Sequence, residues 1–109
     1  MIMRKWTGLI RTADSAAYTA YVEETGAAHY AETEGNLGFQ ILLRDLENGT
    51  SEITTVSWWS DIEAIKRFAG QDCLRASYYP EDDRYLLDRP QFVEHHLVVT
   101  DGRPLSRFG

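Results

Sequence analysis

The chain has 109 residues, 43% of them hydrophobic, which is the scale of one small domain spanning 1–109. Its formal net charge of -6 works against nucleic acid and anionic membrane surfaces as partners, since both call for clustered Lys and Arg. The single cysteine, Cys73, can close no internal disulfide and build no thiolate cage, and no long apolar run opens the chain; a cytoplasmic protein is the expectation.

Large residues over 3–12, followed by a polar break, predict a first strand. Thr12 and Asp14 offer N-caps to a helix over 15–31, on which Ala17, Ala20, Tyr21, Ala28 and Ala31 form the apolar stripe. Gly26 sits mid-helix at a cost of ~1 kcal/mol relative to alanine, and is expected to mark a close approach to another element. Gly35 and Asn36 end the helix. Strands over 37–46 and 51–60 follow, joined at Asn48-Gly49, a pair suited to the positive φ of a tight hairpin. Ile53, Val56, Trp58 and Trp59 suit a pleated sheet. Ser60-Asp61-Ile62-Glu63 reads as a capping box for a helix with Ile62, Ile65, Phe68 and Ala69 inside and Gly70 as its stop. A short helical turn near Leu74 is expected next. Tyr79-Pro80-Glu81-Asp82-Asp83 then starts another helix, with proline and acids at its positive end. The last strand is predicted over 91–100, and the polar tail after Gly102 is expected to fray.

The order βαββαβ, with one extra short helical piece, predicts an α+β ferredoxin-like protomer. Both faces of its sheet carry large apolar residues. Phe39, Ile41 and Leu43 alternate with Leu42 and Leu46, and Val93, His95 and Leu97 alternate with Phe92, His96 and Val98. Two helices cover one face only, so a second copy of the chain is the economical cover for the other, and a homodimer is expected.

The run from Trp58-Trp59-Ser60-Asp61 to Phe68-Ala69-Gly70-Gln71-Asp72 resembles the strand-to-helix junction of antibiotic biosynthesis monooxygenase-like proteins. Tyr78-Tyr79-Pro80-Glu81-Asp82 and Val93-Glu94-His95-His96-Leu97-Val98 resemble its later parts, and Arg4, Trp6 and Gly8 its first strand. The resemblance covers nearly the whole chain. It implies a dimeric α/β barrel with a pocket between sheet and helices in each protomer, and an activity drawn from cofactor-independent oxidation of aromatic polyketides, haem degradation, or ligand binding without chemistry. Two departures stand out. Thr7 occupies the middle of the Trp-His-Gly pattern of relatives, and the first strand lacks the Asn that haem-degrading relatives use, which lowers the haem reading.

Trp59, Trp6 and Phe68 are the candidate substrate-binding residues, as walls for a flat ring; each is equally suited to filling the core. Adjacent Trp58 and Trp59 must point to opposite faces, and the resemblance favours Trp59 for the pocket. His95 and His29 are the candidate catalytic residues, because an ordinary pKa of about 6.5 lets imidazole take or give a proton near neutrality. His95 and His96 face opposite ways and cannot share a metal, so no metal site is expected. The chain has no Gly-rich phosphate loop, serine elbow or zinc spacing, so no bound flavin or nicotinamide is expected either. Together with these features the resemblance implies a monooxygenase that draws electrons from its substrate, with a non-catalytic small-ligand binder as the alternative.

Overall fold

The computed structural model describes residues 1–102; the tail expected to fray lies outside them. Four strands, β1 (Ile2–Arg11), β2 (Asn36–Asp45), β3 (Thr50–Trp59) and β4 (Glu94–Leu97), form one antiparallel sheet in the order β2-β3-β1-β4. Helical connections run from β1 to β2 and from β3 to β4, giving the α+β ferredoxin-like arrangement. Registers Arg4↔Ser57, Trp6↔Thr55 and Gly8↔Ile53 put the even residues of β1 and the odd residues of β3 on one face, which the helices cover. Leu9, Leu42, Val56 and Trp58 fall on the other face, away from the helices. No helix among the described residues is long and apolar enough to cross a membrane.

The first connection is one helical path with a fault in it. The helix α1 (Ser15–Val22) passes through a π-turn (Glu23–Ala27) into α2 (Ala28–Glu32), and the backbone stays helical at both joints. Its buried residues are Tyr18, Val22, Ala27 and Tyr30. The five-residue step from Val22 to Ala27 is the wide turn itself. The alanine stripe read from the sequence is therefore not the packed face: Ala17, Ala20 and Ala31 are exposed. Alanine favours helix everywhere, but a large aromatic side chain gains more from burial. Nor is Gly26 a point of close approach, because a Cβ built there meets nothing within 4 Å. Neither expected cap is used: Thr12 hydrogen-bonds Ser51 at 2.8 Å and Asp14 pairs with Arg11 at 3.5 Å.

Two local readings shift by a residue. In the hairpin, positive φ falls at Glu47 (66°) and Gly49 (85°), and Asn48 instead accepts from the Thr50 N–H at 3.1 Å. The helix α3 (Ile62–Ala69) is capped by Asp61, whose carboxylate accepts from the Ala64 N–H at 2.9 Å, not by Ser60. Glu63 pairs with Lys66. Gly70, with φ 87°, stops the helix as expected.

The helix α4 is a single turn (Asp82–Tyr85). At Leu74 a single hydrogen-bonded turn forms, with the Arg75 N–H donating to the Asp72 C=O at 3.1 Å, and it does not extend into a helix. The Leu74 and Ala76 backbones pair with 91–93, through Val93 N–H to Leu74 C=O and Ala76 N–H to Gln91 C=O, each at 2.8 Å. That pairing takes the first part of the strand predicted over 91–100, so only Glu94–Leu97 pairs with β1. Two buried clusters result. Ala27, Tyr30, Trp59, Ala64, Ile65 and Cys73 form one, with Phe68 against it. Ile10, Tyr18, Val22, Ile53 and Leu86 form the other, with Trp6 and Tyr78 against it.

Candidate active-site cavity

A cavity of about 120 Å³ lies between sheet and helices, lined from both clusters. Its rings are Trp6 from β1, Tyr18 from α1, Tyr30 from α2, Phe68 from α3, and Tyr78 and Tyr79 from the loop before α4. An apolar cavity of ~150 Å³ holds benzene, so this one is on the scale of a single ring at most. A drug-sized ligand needs roughly 300–1,000 Å³. Gly26 of the π-turn is also on the wall, and π-turns recur at functional sites because they open space in a helix.

Trp6 is placed by its neighbours. A Cβ at Gly8 would stand 2.6 Å from the indole, so the missing side chain is what lets the ring lie across the strand. The indole N–H donates to the Tyr78 hydroxyl at 3.1 Å, and that hydroxyl donates to the Pro90 carbonyl. The two rings meet edge to face at 6.2 Å.

The polar groups divide between the clusters. Beside the second, the Asp82 carboxylate is buried and accepts from the Tyr18 hydroxyl at 2.8 Å and from the Tyr79 N–H at 2.6 Å. Burial, reinforced by that carboxylate, pushes the Tyr18 phenol well above its ordinary pKa and keeps it a donor. Beside the first, Arg4 is 5% exposed. One of its N–H groups donates to the Cys73 carbonyl at 3.3 Å, its guanidinium lies 5.7 Å from the Phe68 centroid, and its Nε has no partner. Burial holds its pKa below the ordinary arginine value.

The residues singled out from the sequence divide as well. Trp6 and Phe68 line the cavity. Trp59 is fully buried behind it, its ring N–H bonded to Ser57 Oγ at 2.8 Å and its ring against Tyr30 and Phe68, which themselves line the cavity. His29 is exposed, and its Nδ1 meets the Tyr79 hydroxyl at 2.9 Å, so it reaches the cavity only through that tyrosine. Burial raises the Tyr79 phenol. His95 sits opposite Arg4 across β1 and β4, half-buried, outside the lining, with an unpartnered Nε2. Arg4, Tyr18, Tyr79 and Asp82 gained no role from sequence. Arg4 carried the one usable signal, since it shares the period-two face of Trp6 and Gly8.

Burial and then the Arg4 charge hold His95 below the ordinary histidine pKa of 6.5. The folded chain therefore binds this proton less readily than the unfolded one. The His95 contribution to stability is complete above about pH 6.5 and declines as pH falls through the lower folded value. In an NMR pH titration, His95 is expected to titrate below 6.5. A value at or above 6.5 would contradict the burial.

No family model matches the sequence, and no curated protein matches it. Among solved structures, a Bacillus cereus protein provisionally named an antibiotic biosynthesis monooxygenase aligns at TM-score 0.61 with 16% identity, over 94% of this chain and 96% of that one. The chain has the fold of the antibiotic biosynthesis monooxygenase-like proteins. MhuD, in a structure with two manganese protoporphyrin IX molecules bound per active site, aligns at 0.59 with 17% identity, over 93% and 97% of the two chains. SnoaB, a cofactor-independent oxygenase from Streptomyces nogalater, aligns at 0.50 with 16% identity, over 94% and 95%. In this chain the space between sheet and helices measures about 120 Å³.

Proposed function

We propose that this chain is a one-domain, cytoplasmic, cofactor-independent monooxygenase-like protein that takes a small aromatic substrate into the cavity and works as a homodimer. The observation that carries the reading is a ring-lined, single-ring cavity between sheet and helices, in a fold shared with a cofactor-independent oxygenase. An electron-rich phenol-type substrate stacks against Trp6 and Phe68. Its proton leaves through the Tyr79 hydroxyl toward His29, the 2.9 Å pair behind the wall. The resulting carbanion gives its electrons to dioxygen, forming a carbon–oxygen bond and a peroxide anion that takes the proton back from the Tyr79–His29 pair to become the hydroperoxide. Loss of water from the hydroperoxide leaves a carbonyl, so one oxygen atom enters product and one leaves as water. His95, beyond Arg4, is the second candidate base.

A second reading rests on one observation: no histidine lines the cavity. On that reading the chain binds a small aromatic ligand without transforming it. Oxygen uptake over a panel of single-ring phenols separates the two. With a substrate in hand, His29→Ala is expected to slow turnover by roughly 10²-fold, the low end for general acid–base catalysis. Full activity in His29→Ala, His95→Ala and the double variant would remove both histidines from the mechanism.

The homodimer is supported by the sheet face opposite the helices. Leu42 on it is 46% exposed, and Leu9, Val56 and Trp58 share the face. Sedimentation at micromolar concentration tests it, and a persistent monomer would count against the barrel.

A further inference from the structure

Arg4 is a buried cation without a counter-ion. Among the described residues no carboxylate pairs with it, one of its N–H groups is bonded to a backbone carbonyl, and Nε is sealed from water with no acceptor. Around it also lie the Phe68 ring, Tyr30 and His95, whose Nε2 is likewise buried without a partner. A buried charge ordinarily persists only where it is paired and hydrogen-bonded. The cavity wall holds the exception, because Arg4 lines it. Its one acid, Asp82, belongs to the other cluster and has both carboxylate oxygens engaged by Tyr18 and Tyr79.

We infer that Arg4 makes the cavity a site for a single-ring aromatic monocarboxylate, whose carboxylate supplies the missing counter-ion while its ring lies among Trp6, Tyr30 and Phe68. This rests on the small-aromatic-ligand reading above and narrows it to ligands with one negative charge. Guanidinium suits the role because its planar array of donors matches a carboxylate and stays charged at any physiological pH. A second negative group on the ligand would approach Asp82, so dianions are disfavoured.

The test compares benzoate with benzamide, its neutral near-isostere, by calorimetry on the intact chain at neutral pH. Benzoate is expected to bind roughly 10- to 100-fold more tightly, the range for a hydrogen bond to a charged group. Arg4→Met is expected to abolish the preference, and Arg4→Lys to retain part of it. Because the first comparison uses the unaltered protein, a variant that fails to fold does not affect it. Equal binding of both probes, or tighter benzamide, overturns the role of Arg4 and leaves the aromatic cavity standing. Binding of neither at millimolar concentration overturns the inference together with the ligand-binding reading.

Discussion

Replacing Asp82 with alanine is expected to destabilise the chain by about 3 kcal/mol, measured by urea denaturation. The change leaves two donors without an acceptor: the buried Tyr18 hydroxyl, now 2.8 Å from the carboxylate, and the half-buried Tyr79 N–H, at 2.6 Å. Hydrogen bonds to charged groups contribute ~1.5–3 kcal/mol each, and a buried donor left bare costs more than one removed with its partner. Tyr18→Phe should accordingly cost less than Asp82→Ala, because one carboxylate oxygen keeps the Tyr79 N–H. The double variant should fall short of the sum by ~1 kcal/mol or more, as residues sharing a hydrogen bond do. Strict additivity would mean the Tyr18–Asp82 contact contributes nothing. The pair also ties the one-turn helix α4 to α1 across the cavity, so its loss should weaken ligand binding as well as folding.

Trp59→Ala is expected to cost about 3–5 kcal/mol, the range for removing a large aromatic from a packed core. Trp59 is 0% exposed, and Tyr30 and Phe68 rest on it. Trp6→Ala, at a half-buried position on the cavity wall, should cost clearly less stability and more ligand affinity. The contrast between the two tryptophans is the measurement of interest. If Trp59→Ala cost under ~1 kcal/mol and removed binding, Trp59 would be a ligand wall, as the family resemblance implies, and the cavity described here would not be the site.

The candidate site was only partly legible beforehand, for a physical reason in each case. Period-two alternation tells which strand residues share a face but not which face is inside, so Trp58 and Trp59 were interchangeable until the helices were in place. His29 lies on a helix whose register changes at the π-turn, and a 3.6-residue period read straight through 15–31 loses the packed face there. Asp82 looked like ordinary helix-start chemistry. Its role comes from Tyr18, 64 residues away, and no local pattern reports a contact of that separation. The expected strand over 91–100 shortened because the loop at Leu74–Ala76 competes for its backbone, which sequence periodicity does not register.

By itself the sequence determined the element order, the hairpin, the strand-to-helix junction at Trp59–Ile62 and the glycine stop at Gly70, and with these the ferredoxin-like protomer. Those features rest on turn chemistry, capping and side-chain alternation, all of which act within a few residues. Only the tertiary structure decided where the space is. The π-turn sets Gly26 on the wall, and Gly8 lets the Trp6 indole lie flat. Among the described residues the fold also encloses the Arg4 charge without a paired carboxylate. Each of these depends on what segments distant in sequence bring to the same place, and a cavity is a property of that meeting rather than of any segment within it.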